Sequence, residues 1–500
     1  MEITAHISRN SVRLELTSSA THIIRRFLRE VLTTYSFERV YEKGKKPKTI
    51  RVKDKEYFIE HHGVIIFPVG FEKLLREFLQ EHNHHLKKIE TEDPLPYKGV
   101  EFNIKKPWAP RPYQKKGLDK LVPLDVPIIL LAMATGLGKT VTSLFMLPEF
   151  KTKTMLIMRP GYISQWKKSI ASTVDLKEDE LLHIVTGNDL RVVLSKPEDY
   201  AHVKIFIISN AIYRLYINEY LSDDEFSYDI SPEDIFEKLQ IGSLYIDELH
   251  QDFHFQIRLL SLSFVNRVVG LTATLITTLK PMQRIYEALI PLDRRYDLLE
   301  ENPYIILINM FYELRNPKGL RDRNSKTGAY SHMGLESSIM KHGDSYMAMV
   351  YYAYRKIHKE RADKGDKCII YFTGVETIRS FMLFLKEQEP DLNILVFIAG
   401  VSKEETTEAD VILTTYGKAG TALDIPGLIS LVNTISLSSI GANVQLFGRL
   451  RPPGEGEKEK IAVQVLASNH QKQNLYHQDR LRFLKAKVKK IFRVMTTFKI

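Results

Sequence analysis

One stretch of the chain constrains its fold more than any other: the apolar run from Val126 to Met133 leads directly into Ala134–Thr140, which reads ATGLGKT. Gly136 and Gly138 allow the backbone to curl so that successive N–H groups point at one spot. A helix that starts near Lys139 adds the positive end of its dipole there. The stretch therefore predicts a strand, a phosphate-binding turn and a helix, which together form a βα unit of an α/β fold.

The polar side chains of this loop have separate expected roles. Lys139 would reach the β- and γ-phosphates of ATP as a mobile cation, and the Thr140 hydroxyl would ligate Mg²⁺. The expected ATP contacts also include Thr135, Gly136 and Gly138. The usual phosphate-loop pattern begins with a glycine five residues before Gly138, where this chain has Met133. Taken alone, the stretch leaves an ordinary strand-to-helix turn as the alternative.

An acidic pair follows about a hundred residues later, in the sequence Asp247-Glu248-Leu249-His250. The apolar run Leu244–Ile246 comes directly before it, so both carboxylates should emerge at the carboxyl edge of a parallel sheet, where α/β proteins bind ligands. Asp247 would hold Mg²⁺ through water, and Glu248 would orient and deprotonate the attacking water. Such a pair alone is usually a solvated helix start. Behind a phosphate loop, the catalytic interpretation is favoured.

Short apolar runs alternate with helical patterns along most of the chain, which is typical of parallel sheets with helices on both faces. In the first half the predicted strands are Val126–Met133, Thr154–Met158, Val203–Ile208, Leu244–Ile246 and Arg267–Leu271. In the second half they are Lys367–Phe372, Ile394–Ile398, Val411–Thr414 and Ile429–Ile435. The same architecture is therefore expected twice in tandem.

The two ends of the chain differ from this pattern. Residues 1–105 predict a small α+β domain, with strands around 3–17 and helices near 21–34 and 71–81. Its lysine-rich turn at 43–48 would contact phosphates or simply be solvated. Residues 471–500 carry nine basic residues against one acidic residue, a net charge of +8, and predict a basic helix. That helix would bind DNA phosphates, pack Leu475, Leu481, Leu484 and Val488 on the core, or do both.

Composition limits the partners and the compartment. The formal charge of +10 and the pI near 9.2 favour a polyanionic partner, either nucleic acid or an anionic membrane surface. The single cysteine, Cys368, excludes an intramolecular disulfide and favours a reducing compartment. The apolar runs are too short to span a bilayer and no export signal is evident, so we expect no membrane association and a cytoplasmic location.

With both sites in place, residues from about 110 to 470 resemble the superfamily 2 DExH-box helicases and translocases. The resemblance implies two RecA-like lobes in tandem, 106–300 and 301–470, with ATP between them. Tyr113 and Gln114, in RPYQ, look like the adenine-reading segment. Leu271–Thr274, LTAT, matches the motif that couples hydrolysis to movement. The segment similar to motif Ia implies contacts with the nucleic-acid backbone from Arg159, Pro160, Gly161 and Gln165.

The second half resembles the remaining helicase motifs. Ile370–Gly374 resembles motif IV, which implies a nucleic-acid contact from Thr373. Thr414–Pro426 resembles motif V, with Thr415 on nucleic acid and Asp424 at the nucleotide. Gln445–Arg451, QLFGRLR, resembles motif VI, with Gln445 near the nucleotide. Ala422 replaces a usual motif V glycine, and Pro452 stands where motif VI usually has its second arginine.

The motif VI arginines are expected to reach the γ-phosphate and to neutralise charge in the transition state. Arg449 matches the motif better than Arg451, which sits one position early. A structural ion pair with an acidic neighbour is the alternative for either side chain.

The motifs do not name the nucleic acid, because similar lobes act on different substrates. Thr327–His342 resembles its counterpart in phage-encoded branch-migrating DNA helicases, although composition alone favours a connection between the lobes. We therefore expect an ATP hydrolase, active as a monomer, that remodels duplex, forked or four-way DNA in replication, recombination or repair, in the host bacterial cytoplasm if the chain is phage-encoded. The alternatives are an RNA helicase, a motor subunit of a restriction assembly, or a nucleotide-dependent DNA-binding protein.

Overall fold

A computed structural model gives the fold of residues 2–17, 20–40, 48–90, 97, 99–133, 136–222, 225–273, 280–298, 304–324, 330–398, 404–416, 425–453, 456–484 and 488–500. Two compact units divide the chain, one holding most of the described residues up to Leu298 and the other holding those from Tyr304 onward. Each unit is built around one large parallel sheet.

The amino-terminal part of the first unit is a small α+β layer. Its elements are β1 (Glu2–Ile7), β2 (Ser11–Glu15), α1 (Thr21–Val31), β3 (Thr33–Val40), β4 (Lys48–Glu56), β5 (Ile59–His61), β6 (Val64–Pro68), α2 (Glu72–Glu81) and β7 (His85–Glu90). Five strands form a mixed sheet in the order β5-β6-β2-β1-β7, and β3 pairs with β4. The predicted strands near 3–17 and both predicted helices are confirmed. Most of the lysine-rich turn lies outside the described residues.

The rest of the first unit is a βα-alternating lobe. Its elements are β8 (Asn103–Ile104), α3 (Pro112–Leu121), β9 (Ile128–Met133), α4 (Lys139–Leu144), α5 (Leu147–Phe150), β10 (Lys153–Met158), α6 (Pro160–Thr173), β11 (Val174–Asp175), β12 (Leu181–Ile184), α7 (Gly187–Ser195), β13 (Ile205–Ser209), α8 (Asn210–Tyr220), α9 (Ile235–Lys238), β14 (Ile241–Ile246), α10 (Phe253–Leu262), β15 (Arg267–Thr272), α11 (Lys280–Leu289) and β16 (Arg295–Leu298). Seven strands form a sheet in the order β12-β13-β10-β14-β15-β9-β16, and every neighbouring pair is parallel.

The second unit repeats this architecture. Its elements are β17 (Ile305–Glu313), α12 (His332–Ile339), α13 (Gly343–Tyr354), β18 (Lys367–Phe372), α14 (Val375–Gln388), β19 (Ile394–Phe397), β20 (Val411–Thr415), β21 (Leu428–Asn433), α15 (Ile440–Phe447), β22 (Lys460–Ala467), α16 (Gln471–Leu484) and β23 (Val488–Lys499). Its seven-stranded parallel sheet has the order β19-β20-β18-β21-β22-β17-β23. The α/β fold class, with two RecA-like parallel-sheet lobes in tandem and a small α+β amino-terminal domain, is confirmed.

The strands form where the sequence is apolar without alternation. Every residue of β9, β10, β14 and β18 is buried, as expected for parallel strands with helices on both faces. All nine predicted strands are found, with ends that agree to within a few residues. The regular repetition places the ends of β9 and β14, which carry the predicted site residues, on the same edge of the first sheet.

The carboxyl-terminal prediction is partly wrong. A helix is present, but it ends at Leu484, and Val488–Lys499 forms β23 instead of continuing it. This strand pairs in parallel with β17 at the edge of the second sheet. Leu481 and Leu484 on α16 and Val488 on β23 all pack with the second unit, whereas Leu475 is exposed. The expected packing of the tail is therefore confirmed for three of its four apolar residues.

The amino-terminal sheet packs directly on the first lobe. Arg9 pairs with Asp125 and donates from Nε to the Asn266 carbonyl at 2.6 Å. Arg13 pairs with Glu233 at 2.7 Å. The buried Asn10 side chain accepts from the Val265 amide at 3.1 Å. Shared apolar side chains continue this interface into one hydrophobic core, so the two parts form one compact unit. Among the described helices, none combines the length and apolar character needed to cross a membrane.

Candidate nucleotide-binding site

The loop between β9 and α4 has the backbone that the glycines predicted. Gly136 and Gly138 have φ values of +95° and +75°, in the left-handed region where a side chain causes strain. A Cβ at Gly138 would also lie 2.8 Å from Gln114 Nε2. Helix α4 begins at Lys139 directly after this turn. The described part of the loop is therefore a curled backbone at a helix start, although Thr135 lies outside the described residues.

Lys139 reaches the acidic pair across the edge of the sheet. Its Nζ donates to Glu248 Oε1 at 2.8 Å and lies 3.4 Å from Asp247 Oδ1. Both carboxylates follow the last residue of β14 and are buried. Glu248 has a φ of +53°, a strained conformation for a residue with a side chain. The structure thus brings together the loop lysine and the acidic pair, which are 109 residues apart.

Burial and the ion pairs set the charges of these groups. Burial alone would lower the pKa of Lys139, but Glu248 and Asp247 raise it above its usual value. Burial would raise the pKa of Glu248, but Lys139 outweighs it, and the pKa lies below its usual value. Burial raises the pKa of Asp247, and Lys139 only partly offsets this effect. At neutral pH Lys139 is therefore a cation and Glu248 an anion, as a phosphate ligand and a general base must be.

Trp166 is a site residue that the sequence did not assign to this role. From α6, its indole Nε1 donates to Asp247 Oδ2 at 2.8 Å, and the side chain is 1% exposed. Asp247 Oδ1 accepts from the Glu248 amide at 3.0 Å. Both oxygens of Asp247 are thus held in one orientation. The sequence placed Trp166 in a segment expected to contact nucleic acid, and no spacing rule links it to an acid 81 residues away.

His250 connects the acidic pair with the end of β15. Its Nδ1 lies 2.7 Å from Thr272 Oγ1 and 3.2 Å from Glu248 Oε2. Burial lowers the pKa of His250, which keeps the ring neutral at pH 7. Thr272 belongs to the LTAT segment, of which Thr274 lies outside the described residues. His250 therefore contacts both the predicted general base and the segment expected to couple hydrolysis to movement.

Gln114 and Tyr113 hold the loop in this structure. Gln114 Oε1 accepts from the Arg111 amide at 2.8 Å, and its Nε2 donates to the Leu137 carbonyl at 3.4 Å. The Tyr113 hydroxyl donates to the same carbonyl at 3.3 Å. The pair therefore lies beside the phosphate loop, and adenine recognition by either side chain stays a prediction.

Comparison with known proteins gives one family match and one solved structure of similar fold. Residues 108–277, about a third of the chain, match the family model described as "Type III restriction enzyme, res subunit". The DEAD-box helicase Mss116p, solved with ssRNA and AMP-PNP, aligns with 77% of this chain and 74% of its own, at 15% identity and a TM-score of 0.51. The similarity shows that this chain shares the fold of that protein.

Two further proteins are similar to this chain over most of its length. The "Transcript termination protein A18" of Yaba monkey tumor virus is 25% identical over 358 residues, which is 67% of this chain and 66% of that protein. This chain thus spans slightly less than two thirds of that relative. The crystal structure of T4 UvsW aligns over 100% of both chains at 13% identity, but its TM-score of 0.35 is too low to establish a common fold.

The predicted nucleic-acid residues of the first RecA-like lobe lie together at the start of α6. Pro160 and Gly161 begin that helix, Arg159 precedes it, and all three follow the carboxyl end of β10. Arg159 lies 3.3 Å from Asp252, while Pro160, Gly161 and Gln165 are exposed. Their position at the sheet edge is accessible, and contact with nucleic acid stays a prediction.

The second RecA-like lobe carries the other predicted residues at the ends of its own strands and on α15. Thr373 follows β18, Thr415 ends β20, and Gln445 lies on α15, where it accepts from the Tyr416 hydroxyl at 3.4 Å. Arg449 is buried and Arg451 is half-buried after that helix. Asp424 lies outside the described residues. The role of either arginine at the nucleotide stays a prediction.

Proposed function

We propose that this chain hydrolyses ATP to move along, or remodel, nucleic acid, and that its substrate is DNA. The observation that carries the proposal is the ion pair between Lys139 and Glu248, with Asp247 beside it, at the carboxyl edge of a parallel sheet. A structural ion pair alone does not need a curled, glycine-dependent loop at the same place. The combination matches what phosphoryl transfer requires, namely a phosphate cradle, a cation and a general base.

The residues present fit ATP and Mg²⁺. The backbone from Gly136 to Gly138, the start of α4 and Lys139 would hold the phosphates, while Thr140 and Asp247 would hold the metal ion. Asp247 is suited to that task because Trp166 and the Glu248 amide fix both of its oxygens. When bound, Mg²⁺ supplies charge neutralisation between the β- and γ-phosphates.

Glu248 has the role of general base in this proposal. Lys139 keeps its carboxylate ionised, and His250 lies 3.2 Å from its second oxygen. When Lys139 pairs with a phosphate of ATP, Glu248 loses its main positive partner. The pKa of Glu248 then rises, and Glu248 becomes a better proton acceptor. The contact between His250 and Thr272 then transmits this change toward the end of β15. Arg449 or Arg451 would complete the charge stabilisation of the transition state.

The choice of DNA rests on the charge of the chain and on the resemblance of one segment. The charge of +10 favours a polyanion of either kind. The similar proteins differ in their descriptions: one is a restriction enzyme subunit, one a transcript termination protein and one a helicase solved with ssRNA. The resemblance of Thr327–His342 to branch-migrating helicases favours forked or four-way DNA, with the amino-terminal domain as an accessory part.

A panel of nucleic acids tests both parts of the proposal, namely that nucleic acid stimulates ATP hydrolysis and that the substrate is DNA. ATP hydrolysis by the purified chain is measured with single-stranded, duplex, forked and four-way DNA and with matched RNA. We expect the largest stimulation with branched DNA and displacement of a labelled strand from it. If only RNA stimulated ATP hydrolysis, the substrate would be RNA and not DNA. Hydrolysis that appeared only after addition of a partner protein from the same genome would indicate a motor subunit of a larger assembly. Glu248→Gln is the control that links any stimulation to this site.

A further inference from the structure

A cavity of about 520 Å³ lies in the second unit, lined by residues of α16, β17 and the edge strand β23. We call it the α16 pocket and define it by Asn309, Phe311, His477, Leu481, Ile491 and Arg493. All of these residues belong to the second unit, and none belongs to the candidate nucleotide site. A volume of this size is typical of pockets that bind small organic groups.

Two polar atoms at the α16 pocket are buried and have no hydrogen-bond partner in the described part of the chain. They are Asn309 Oδ1, on a side chain that is 2% exposed, and His477 Nδ1. Buried polar atoms without partners cost free energy, so such atoms in one cavity indicate a missing partner. Asn309 lies on the same face of β17 as Phe311, because side chains two residues apart on a strand point the same way.

An aromatic platform forms part of the pocket wall. The Arg493 guanidinium lies over the Phe311 ring, 4.9 Å from its centre. The His477 ring meets Phe311 edge-on, with 5.6 Å between the ring centres. Leu481 and Ile491 add apolar surface. Flat aromatic and guanidinium groups beside apolar side chains favour a planar ligand that stacks.

The charge around the α16 pocket excludes a cationic ligand. None of its described lining side chains is acidic, whereas Arg493 is cationic. Arg480, on the same helix, is 1% exposed, and its Nη1 and Nη2 have no hydrogen-bond partner among the described residues. Burial, together with Arg480 and Arg493, lowers the pKa of His477 to about 4. The ring is therefore neutral at pH 7, and its Nδ1 can accept or donate a hydrogen bond.

We propose that the α16 pocket binds a nucleobase, with the ring against the Phe311–Arg493 platform and its polar edge toward Asn309 and His477. A nucleobase is planar and carries donors and acceptors along its edge, and the phosphate of its nucleotide brings negative charge, which suits Arg493. The base belongs either to an unpaired nucleotide of the bound strand or to a free nucleotide. The first source rests on the proposed function, and the second is independent of it.

Binding of matched oligonucleotides tests this proposal without ATP. One single strand carries bases, including the fluorescent base 2-aminopurine, and the other has the same length and phosphates but abasic sites. Arg493→Ala is compared with Arg482→Ala, which removes the same charge from a side chain of α16 that is 75% exposed. Stacking of one base contributes about 1–3 kcal/mol, which is about 5- to 150-fold in affinity.

The α16 pocket predicts that Arg493→Ala weakens binding of the base-containing strand at least fivefold more than Arg482→Ala does, while both variants bind the abasic strand alike. His477→Ala should reproduce the loss without removing a charge. If Arg493→Ala weakened binding of both strands equally and His477→Ala had no effect, Arg493 would contact only phosphate. That result would exclude a base of the bound strand as the ligand of the α16 pocket.

A second arm of the experiment tests whether the α16 pocket binds a free nucleotide. In the Lys139→Ala background, which removes the main phosphate ligand, a 2-aminopurine nucleotide should still bind, and Arg493→Ala and His477→Ala should abolish that binding if free nucleotides are the source. Failure in both arms overturns the α16 pocket as a nucleobase site. If the wild-type chain binds no strand at all, the proposed motor function fails. Binding of the free 2-aminopurine nucleotide then decides alone whether the α16 pocket is a nucleobase site.

Discussion

At the scale of single residues, the candidate site depends on side chains that other groups of the protein hold in place. Asp247 has partners on both carboxylate oxygens, and Glu248 is held in a left-handed backbone conformation. Positions with such strain persist only where surrounding contacts determine them, and they cluster at functional sites. Substitutions that remove the contacts of Asp247 or Glu248 therefore test the function of the site without changing the acidic residues themselves.

Replacing Trp166 with phenylalanine tests the orientation of Asp247. The change keeps most of the apolar packing but removes the N–H that donates to Asp247 Oδ2. A hydrogen bond to a charged group contributes about 1.5–3 kcal/mol, so we expect kcat for ATP to fall at least tenfold and the Mg²⁺ requirement to rise. Trp108→Phe is the control because Trp108 is 43% exposed. Equal activity of the two variants in a Mg²⁺ titration would remove Trp166 from the site.

His332 makes the stability of the second unit depend on pH. Burial, followed by the charges of His470 and Arg480, lowers its pKa from 6.5 to about 3. Between these values the unfolded chain binds the proton and the folded chain does not, so the free energy of unfolding falls as the pH falls. From pH 7 to 5.5 this group should cost about 1 kcal/mol. Urea unfolding of His332→Asn should show a smaller loss over that interval, and an identical loss would contradict this assignment.

At the scale of elements, the start of α14 is fixed by a side chain from α12. Glu336 is 1% exposed, and its carboxylate accepts from the Gly374 amide at 2.8 Å and from the Thr373 amide at 3.0 Å. Burial raises the pKa of Glu336, and these amides offset part of that effect. A carboxylate at a helix start is stabilised by the unpaired N–H groups and the helix dipole. Glu336 therefore positions Thr373, a predicted nucleic-acid contact.

Removing this charge should loosen α14. Glu336→Gln keeps the shape of the side chain but leaves a weaker acceptor and a buried amide with incomplete partners, at a cost of about 1–3 kcal/mol. We expect a lower Tm and weaker nucleic-acid binding. Glu376→Gln, in the first turn of the same helix, is the control because its side chain is 90% exposed. A Tm for Glu336→Gln equal to that of the control would contradict the role of Glu336.

The sequence predicts elements best where the signal is local. The nine parallel strands and the loop before Lys139 follow from contiguous apolar runs and glycines, and all are found. The spacing of Leu475, Leu481, Leu484 and Val488 predicts a helix where residues 488–499 form strand β23. As an edge strand, most of its residues are exposed. The contacts of Trp166 with Asp247 and of Glu336 with Thr373 join distant segments, so only the folded chain reveals them.

At the scale of the whole molecule, the charge of +10 should govern affinity for nucleic acid. Neutralised phosphates release counterions, so affinity falls with salt in proportion to the number of phosphates contacted. For about three or more contacts to a single strand, we expect at least a tenfold loss between 50 and 200 mM salt. Fluorescence anisotropy at several salt concentrations measures this dependence. Affinity that does not change with salt would exclude a phosphate-dominated interface.

The central claim is that Lys139, Asp247 and Glu248 form a site that hydrolyses ATP in response to nucleic acid. Steady-state ATP hydrolysis and nucleotide binding, each measured with and without DNA, test it most directly. We predict that DNA stimulates the wild-type chain, that Lys139→Ala loses ATP binding, and that Glu248→Gln binds ATP but hydrolyses it at least a hundredfold more slowly. Turnover by Glu248→Gln at the wild-type rate would contradict the account.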